Sequence, residues 1–196
     1  MNSFSRLSLV LVAVAGISSL RAEKIVLVAG GGEAEKDAPA TQCRLHEPFG
    51  VEFTQAGEMV IVEMEHGNRV LKVDAQGMLR AIAGTGAKGF SGNGGPATAA
   101  TFGGIHNLAI TPAGDLLLAD SFNHTLRKID AKSGVITTLA GNGQKGFAGD
   151  GGPAVQAQFS TLIQIALDAA GRQLYIADIG NRRIRRIDLA SGFIDT

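Results

Sequence analysis

Beyond the N-terminal segment, apolar residues in this chain come in short runs of three to five, bounded by Gly, Asn or Asp. Such runs are too short for helices and show no 3.6-residue period, so each reads as a β-strand. The first set runs Phe49 to Phe53, Met59 to Val62 and Arg69 to Asp74, with a turn at Ala56-Gly57. The second runs Asn107 to Ile110, Leu116 to Asp120 and Thr125 to Asp130, with a turn at Ala113-Gly114. The third runs Ile165 to Leu167, Leu174 to Asp178 and Arg183 to Asp188, with a turn at Ala170-Gly171. Glycine at these turns supplies the positive φ of a tight hairpin. In the third strand of each set, basic and apolar residues alternate, as in Leu126, Lys128 and Ile129. That predicts one packed face and one solvated face.

The three sets are copies of one unit. Gly-Phe-Ser-Gly-Asn-Gly-Gly-Pro-Ala at 89–97 returns as Gly-Phe-Ala-Gly-Asp-Gly-Gly-Pro-Ala at 146–154, a displacement of 57 residues. A period of this length, with several short strands per copy, is that of a β-propeller built from four-stranded blades. The expected organisation is a signal peptide at 1–22, a closing strand and connector at 23–44, and blades at 45–100, 101–157 and 158–196, the last incomplete. Lys24 to Gly32 matches Ile136 to Gly143, which predicts an outer strand closing a ring. The sequence stops at Gly192 to Thr196, equivalent to Gly134 to Thr138 inside a fourth strand, so a fragment of a six-bladed ring is expected.

The segments Leu118-Ala119-Asp120-Ser121-Phe122-Asn123-His124-Thr125-Leu126-Arg127 and Ile176-Ala177-Asp178-Ile179-Gly180-Asn181-Arg182-Arg183-Ile184-Arg185 resemble the NHL repeat in their combination of Ala-Asp, Asn and Arg-Ile. The resemblance covers nearly everything after the N-terminal segment, and the glycine loop is similar to a long-loop variant of secreted bacterial members. The first copy departs from it, with Glu63-Met64-Glu65 in place of Ala-Asp and Gly67 where Asn123 and Asn181 stand, so the Asp and Asn are not expected to be needed in every blade. Asp120, Asn123, Asp178 and Asn181 are expected to bond local backbone N–H groups as Asx-turns do. Similar six-bladed propellers include Ca²⁺-dependent lactonases and other esterases or lyases, with their chemistry at the mouth of the central channel. Two nearly identical glycine loops on adjacent blades form a periodic surface suited to an extended partner, so a binding module is expected, with a Ca²⁺-dependent lactonase-like hydrolase as the alternative.

Channel-mouth candidates are the polar residues where inner strands begin, His106, Asn107 and Gln164, with Glu52 a carboxylate on the first inner strand. A Ca²⁺ site wants several converging oxygens; Ala109 and Ala166, equivalent to Glu52, offer none. No nucleophile elbow, zinc-ligand spacing or phosphate loop is present, so catalytic residues and a cofactor are not expected. On the glycine loops at 84–97 and 141–154, Asn93 and Asp150 are candidate recognition residues for a protein or extended ligand. The bland expectation there is a connector in which Phe90 and Phe147 plug between blades while Pro96 and Pro153 fix the chain's return to the next inner strand. His46, His66 and His124 read as solvated turn histidines.

Charge narrows the partners. Eighteen basic residues balance eighteen acidic ones, with one Tyr and no Trp, which gives nucleic-acid binding little support. The run Arg182-Arg183-Ile184-Arg185-Arg186 reads as exposed arginines on an outer strand. Arg6 followed by the apolar run from Leu7 to Ile17 reads as a secretory leader, placing the mature chain in the periplasm or outside the cell with no stable membrane insertion. Cys43, the sole cysteine, rules out an intramolecular disulfide.

Overall fold

The computed structural model describes residues 24–196, so the expected signal peptide lies outside the described residues. In chain order the strands are β1 (Ala38–Pro39), β2 (Pro48–Phe53), β3 (Met59–Glu63), β4 (Val70–Val73), β5 (Met78–Ala83), β6 (Ile105–Ile110) and β7 (Leu116–Asp120). They continue as β8 (Thr125–Ile129), β9 (Ile136–Ala140), β10 (Gly152–Pro153), β11 (Leu162–Leu167), β12 (Gln173–Asp178), β13 (Arg183–Asp188) and β14 (Phe193–Asp195). They form three antiparallel sheets, each a meander of four strands in sequence order. The fold is all-β, and the sheets are three blades of a propeller whose innermost strands β2, β6 and β11 pack side by side.

The loop before each blade lays a short strap along that blade's outer strand. Ala38 and Pro39 pair with Leu79 and Met78, Pro96 bridges Val135, and Gly152 and Pro153 pair with Ile194 and Phe193. Proline suits this place because an edge strap need not donate an N–H outward. Each strap continues into a single 3-10 turn, at Ala40–Gln42, Ala97–Ala99 and Ala154–Gln156. Pro96 and Pro153 therefore cover outer edges as well as steering the chain. The expected closing strand at 24–28 carries no regular secondary structure, since no ladder holds it.

Cores lie between blades. Val60, Val62 and Val70 of blade 1 pack with Ile105, Leu108 and Leu118 of blade 2. Leu117, Ala119 and Leu126 of blade 2 pack with Leu162 and Ile165 of blade 3. Strand β7 is buried along its whole length because Leu116 and Leu118 serve one interface and Leu117 and Ala119 the other. Between the blades sit Phe102 and Phe159, fully buried, and not Phe90 and Phe147, which are 50% and 44% exposed. Cys43 and its equivalents Ala100 and Ala157 are also fully buried.

The expectation for the third strands fails at two residues. Arg127 and Arg185 are 0% exposed, whereas Ile184 faces outward. The glycine loops explain it: each folds over the third strand of the following blade and covers its guanidinium, as the bonds below show.

Candidate functional site

The repeat places a buried carboxylate at the end of each second strand, accepting a backbone N–H from just before the inner strand. Glu63 accepts from His46 at 2.6 Å, Asp120 from Gly103 at 2.7 Å and Asp178 from Ser160 at 3.0 Å. Those donors are themselves 57 residues apart. Blade 1 thus keeps the carboxylate as Glu63, correcting the expectation that this function is dispensable there. Asn123 donates to Gly89 O at 2.8 Å and to Asp120 at 2.9 Å; Asn181 donates to Gly146 O at 2.7 Å and to Asp178 at 2.8 Å. The bonds are structural, yet they reach across the fold to distant loops. The αL residues are the following Asn68, His124 and Arg182.

An arginine stands beside two of these carboxylates. Arg185 donates through Nη1 to Gln158 O at 2.8 Å and through Nη2 to Ala148 O at 2.9 Å. Its Nε and Nη2 reach Asp150 at 3.0 and 2.5 Å. Arg127 donates through Nη2 to Ser91 O at 3.2 Å, and its Nη1 lies 3.5 Å from Asp120. Its Nε and Nη1 have no hydrogen-bond partner. Burial lifts the Asp120 carboxyl to about 6, against the opposing pull of Asn123, the Gly103 N–H and Arg127. Burial likewise lowers Arg127 from its ordinary value despite Asp120. Phe90 and Phe147 lie on these arginines, with Arg127 4.7 Å from the Phe90 centroid and Arg185 5.1 Å from that of Phe147, which Arg183 also approaches to 3.6 Å. In blade 1 the equivalent position is Leu71, fully buried, and Arg69 takes over the pairing with Glu63 at 2.6 Å.

At the end of the fold where the inner strands begin, His106 stacks edge-on between Phe49 and Phe122, with centroids 4.8 and 5.4 Å away. Both phenyl rings are about half exposed. Lys88 Nζ lies 5.6 Å from the Phe122 centroid. The Phe122 ring lies over Gly104 (φ 83°), where an added Cβ would stand 2.7 Å from it, so only glycine fits there. Burial holds His106 below its ordinary pKa, against a raising backbone hydrogen bond with Gly104, so the ring is neutral at pH 7.

The other expected site residues divide. Asn107 accepts from Ile165 N–H at 3.1 Å and so ties the inner strands of blades 2 and 3. Gln164 and Glu52 are exposed. Gly50, at the same repeat position as Asn107, lies against blade 2: a Cβ there would meet His106 O at 3.2 Å. Asp150 is drawn inward to Arg185, whereas Asn93 accepts only from Thr138 Oγ1, at 3.3 Å. His46 and His66 pair with Glu35 and Glu47 at 3.1 and 2.5 Å, and His124 keeps a buried Nδ1 without a partner. No cluster of three His, Cys, Asp or Glu suited to a metal occurs among the described residues. No helix among them is long and apolar enough to cross a membrane. Sequence reasoning missed Glu63, Arg127 and Arg185; the recurrence of Arg two residues into the third strand was the available signal.

Blades that meander from an inner to an outer strand around an apolar axis, each locked by a buried carboxylate, define a β-propeller. Its repeats are similar to those of NHL repeat-containing proteins, over part of the chain. No family model matches the chain. It is 34% identical over 74 residues to NHL repeat-containing protein 2 of Gallus gallus, covering 38% of this chain and 10% of that protein. It is 39% identical over 89 residues to the chloroplast protein SUPPRESSOR OF QUENCHING 1 of Arabidopsis thaliana, covering 44% of this chain and 8% of that protein. Among solved structures, an auxiliary nutrient binding protein from Bacteroides thetaiotaomicron superposes with a TM-score of 0.58 at 26% identity, over 69% of this chain and 36% of that one. A gluconolactonase-family structure matches with a TM-score of 0.51 at 12% identity, over 76% of this chain and 48% of that one, which shows the shared fold alone. The matched stretch is a tenth or less of the curated relatives and about a third to a half of these solved chains.

Proposed function

We propose that this chain is a binding module working outside the cytoplasm, its ligand seated where Phe49, His106 and Phe122 meet. The observation that carries the reading is the pair of half-exposed phenyl rings held on either side of a neutral imidazole. Aromatic rings offer an apolar surface to a ring-shaped ligand, and the imidazole between them, its Nδ1 buried, leaves Nε2 as the single ring nitrogen for a polar contact. That combination suits an uncharged polar ring such as a sugar. The likeness to a nutrient-binding propeller supports it. The leader read in the sequence supports the location. The hydrolase alternative gains no observation of its own, since Asn107 already holds a backbone N–H in place of pointing an oxygen at a shared centre.

The test is calorimetric titration of the chain with a panel of neutral mono- and disaccharides. At least one should bind, and Phe122→Ala should weaken that binding about tenfold, the scale of 1.4 kcal/mol for one aromatic contact. Binding unchanged in both Phe122→Ala and His106→Ala, or none from any sugar, overturns this placement of the site.

A further inference from the structure

We propose that the glycine loop covering blade 2 is a receptor for a carboxylate, held by Arg127 Nε and the Thr138 hydroxyl. Blade 3 carries the built-in version of the same complex. The two loops follow the same course: Gly94 N–H bonds Ile136 O and Gly151 N–H bonds Ile194 O, both at 2.7 Å. Gly92 and Gly149 have φ of 83° and 96°, and at each an added Cβ would lie 2.7 Å from the Cα of Ala100 or Ala157. In blade 3, Asp150 takes Arg185 Nε and Nη2 with one oxygen and the Thr196 hydroxyl, at 2.5 Å, with the other.

In blade 2 the counterparts of Arg185 and Thr196 are Arg127 and Thr138, but Asn93 replaces the aspartate. The Asn93 amide oxygen accepts from Thr138 at 3.3 Å, as Asp150 does from Thr196, but gives Arg127 no bond, and Arg127 Nε and Nη1 are left with no hydrogen-bond acceptor. A fully buried guanidinium with open donors favours any acceptor that reaches it, and a carboxylate above all. Reach is shown by Asp150, whose side chain is 29% exposed while its oxygen bonds a guanidinium that is 0% exposed. An incoming carboxylate that displaces the Asn93 amide would occupy the place Asp150 holds in blade 3. Phe90, lying 4.7 Å from Arg127 and half exposed, would wall its aliphatic part. The ligand is therefore a carboxylate on a short aliphatic stem, from a free acid or from an acidic side chain.

The experiment follows the melting temperature of the whole chain at pH 7 in sodium acetate against sodium chloride of equal ionic strength. At about ten times its Kd, acetate should raise the melting temperature by about 3–5 °C in the wild type and in Asn93→Ala. Asn93→Asp supplies the carboxylate internally, so it should melt higher at the outset and lose the response. An end-blocked Gly-Asp-Gly peptide, copying residues 149–151, binding more tightly than acetate would assign the site to an acidic protein segment; equal or weaker binding would assign it to free acids. An equal acetate response in all three proteins, or none in any, overturns the proposal.

Discussion

Blades 2 and 3 share their strand order, their carboxylate and their covering loop, yet they hold the same buried arginine in different ways. Arg185 reaches two backbone carbonyls and the Asp150 carboxylate, with Asp178 3.8 Å away. Arg127 has one backbone carbonyl at 3.2 Å and Asp120 at 3.5 Å. The carboxylate part of that difference is Asn93 against Asp150, 34 and 35 residues upstream of the arginines they face. Blade 1 shows a further solution, an apolar Leu71 at the arginine position. A guanidinium at this place is thus not a requirement of the fold, and its worth is set by what the preceding loop brings to it.

Removing the guanidinium should separate the blades most. Arg185→Met strips donors from Asp150, Asp178 and two carbonyls and should cost about 3–5 kcal/mol, whereas Arg127→Met should cost roughly 1–2 kcal/mol. Urea unfolding measures both, and equal losses would break the comparison.

A pH series comes next in size. Asp120 has a folded-state pKa of about 6 against an ordinary 3.8, so the folded protein holds this proton more tightly than the unfolded chain. Its contribution to stability is full below about pH 4 and is lost as pH rises through 6, by at most about 3 kcal/mol. Asp120→Asn should flatten that fall between pH 4 and 6, and an unchanged slope would assign the pH dependence elsewhere.

The smallest effect sharpens the comparison most directly. Asn93→Asp should convert blade 2 into a copy of blade 3 and add about 1–2 kcal/mol, seen as a melting temperature a few degrees higher. No gain would mean that Arg127 finds its acceptors some other way.

The strands were legible because apolar runs, turn glycines and a 57-residue period all pointed to one blade. The arginines were not, for a physical reason. Arg127 shares a strand face with Ile129 and Arg185 with Ile187, so both stand on the packed side, and the acceptors that let a guanidinium stay there come from a glycine loop more than thirty residues earlier. The same non-locality hid the partners of Asp120 and Asn123, whose structural function was expected but whose bonds run to Gly103 and Gly89. The repeat position of His106 was legible, but its packing between Phe49 and Phe122 was not, since nothing in sequence places residues 49 and 122 on either side of one ring. Asn107 was a sound candidate by position alone; the close approach of β11 turned it into a strand-to-strand tie.

The straps at Ala38–Pro39, Pro96 and Gly152–Pro153 make the unit that repeats in the sequence different from the unit that stands in space. Each sheet is finished by residues that precede it in the chain, for the second and third blades by residues of the copy before, like roof tiles laid with an overlap. Nearest neighbours are consequently joined twice, through stacked faces and through a shared margin, which raises the coupling between them relative to a simple stack. A blade excised at its own first and last strands would lack its margin, so swapping or grafting within such arrays must carry the preceding loop along.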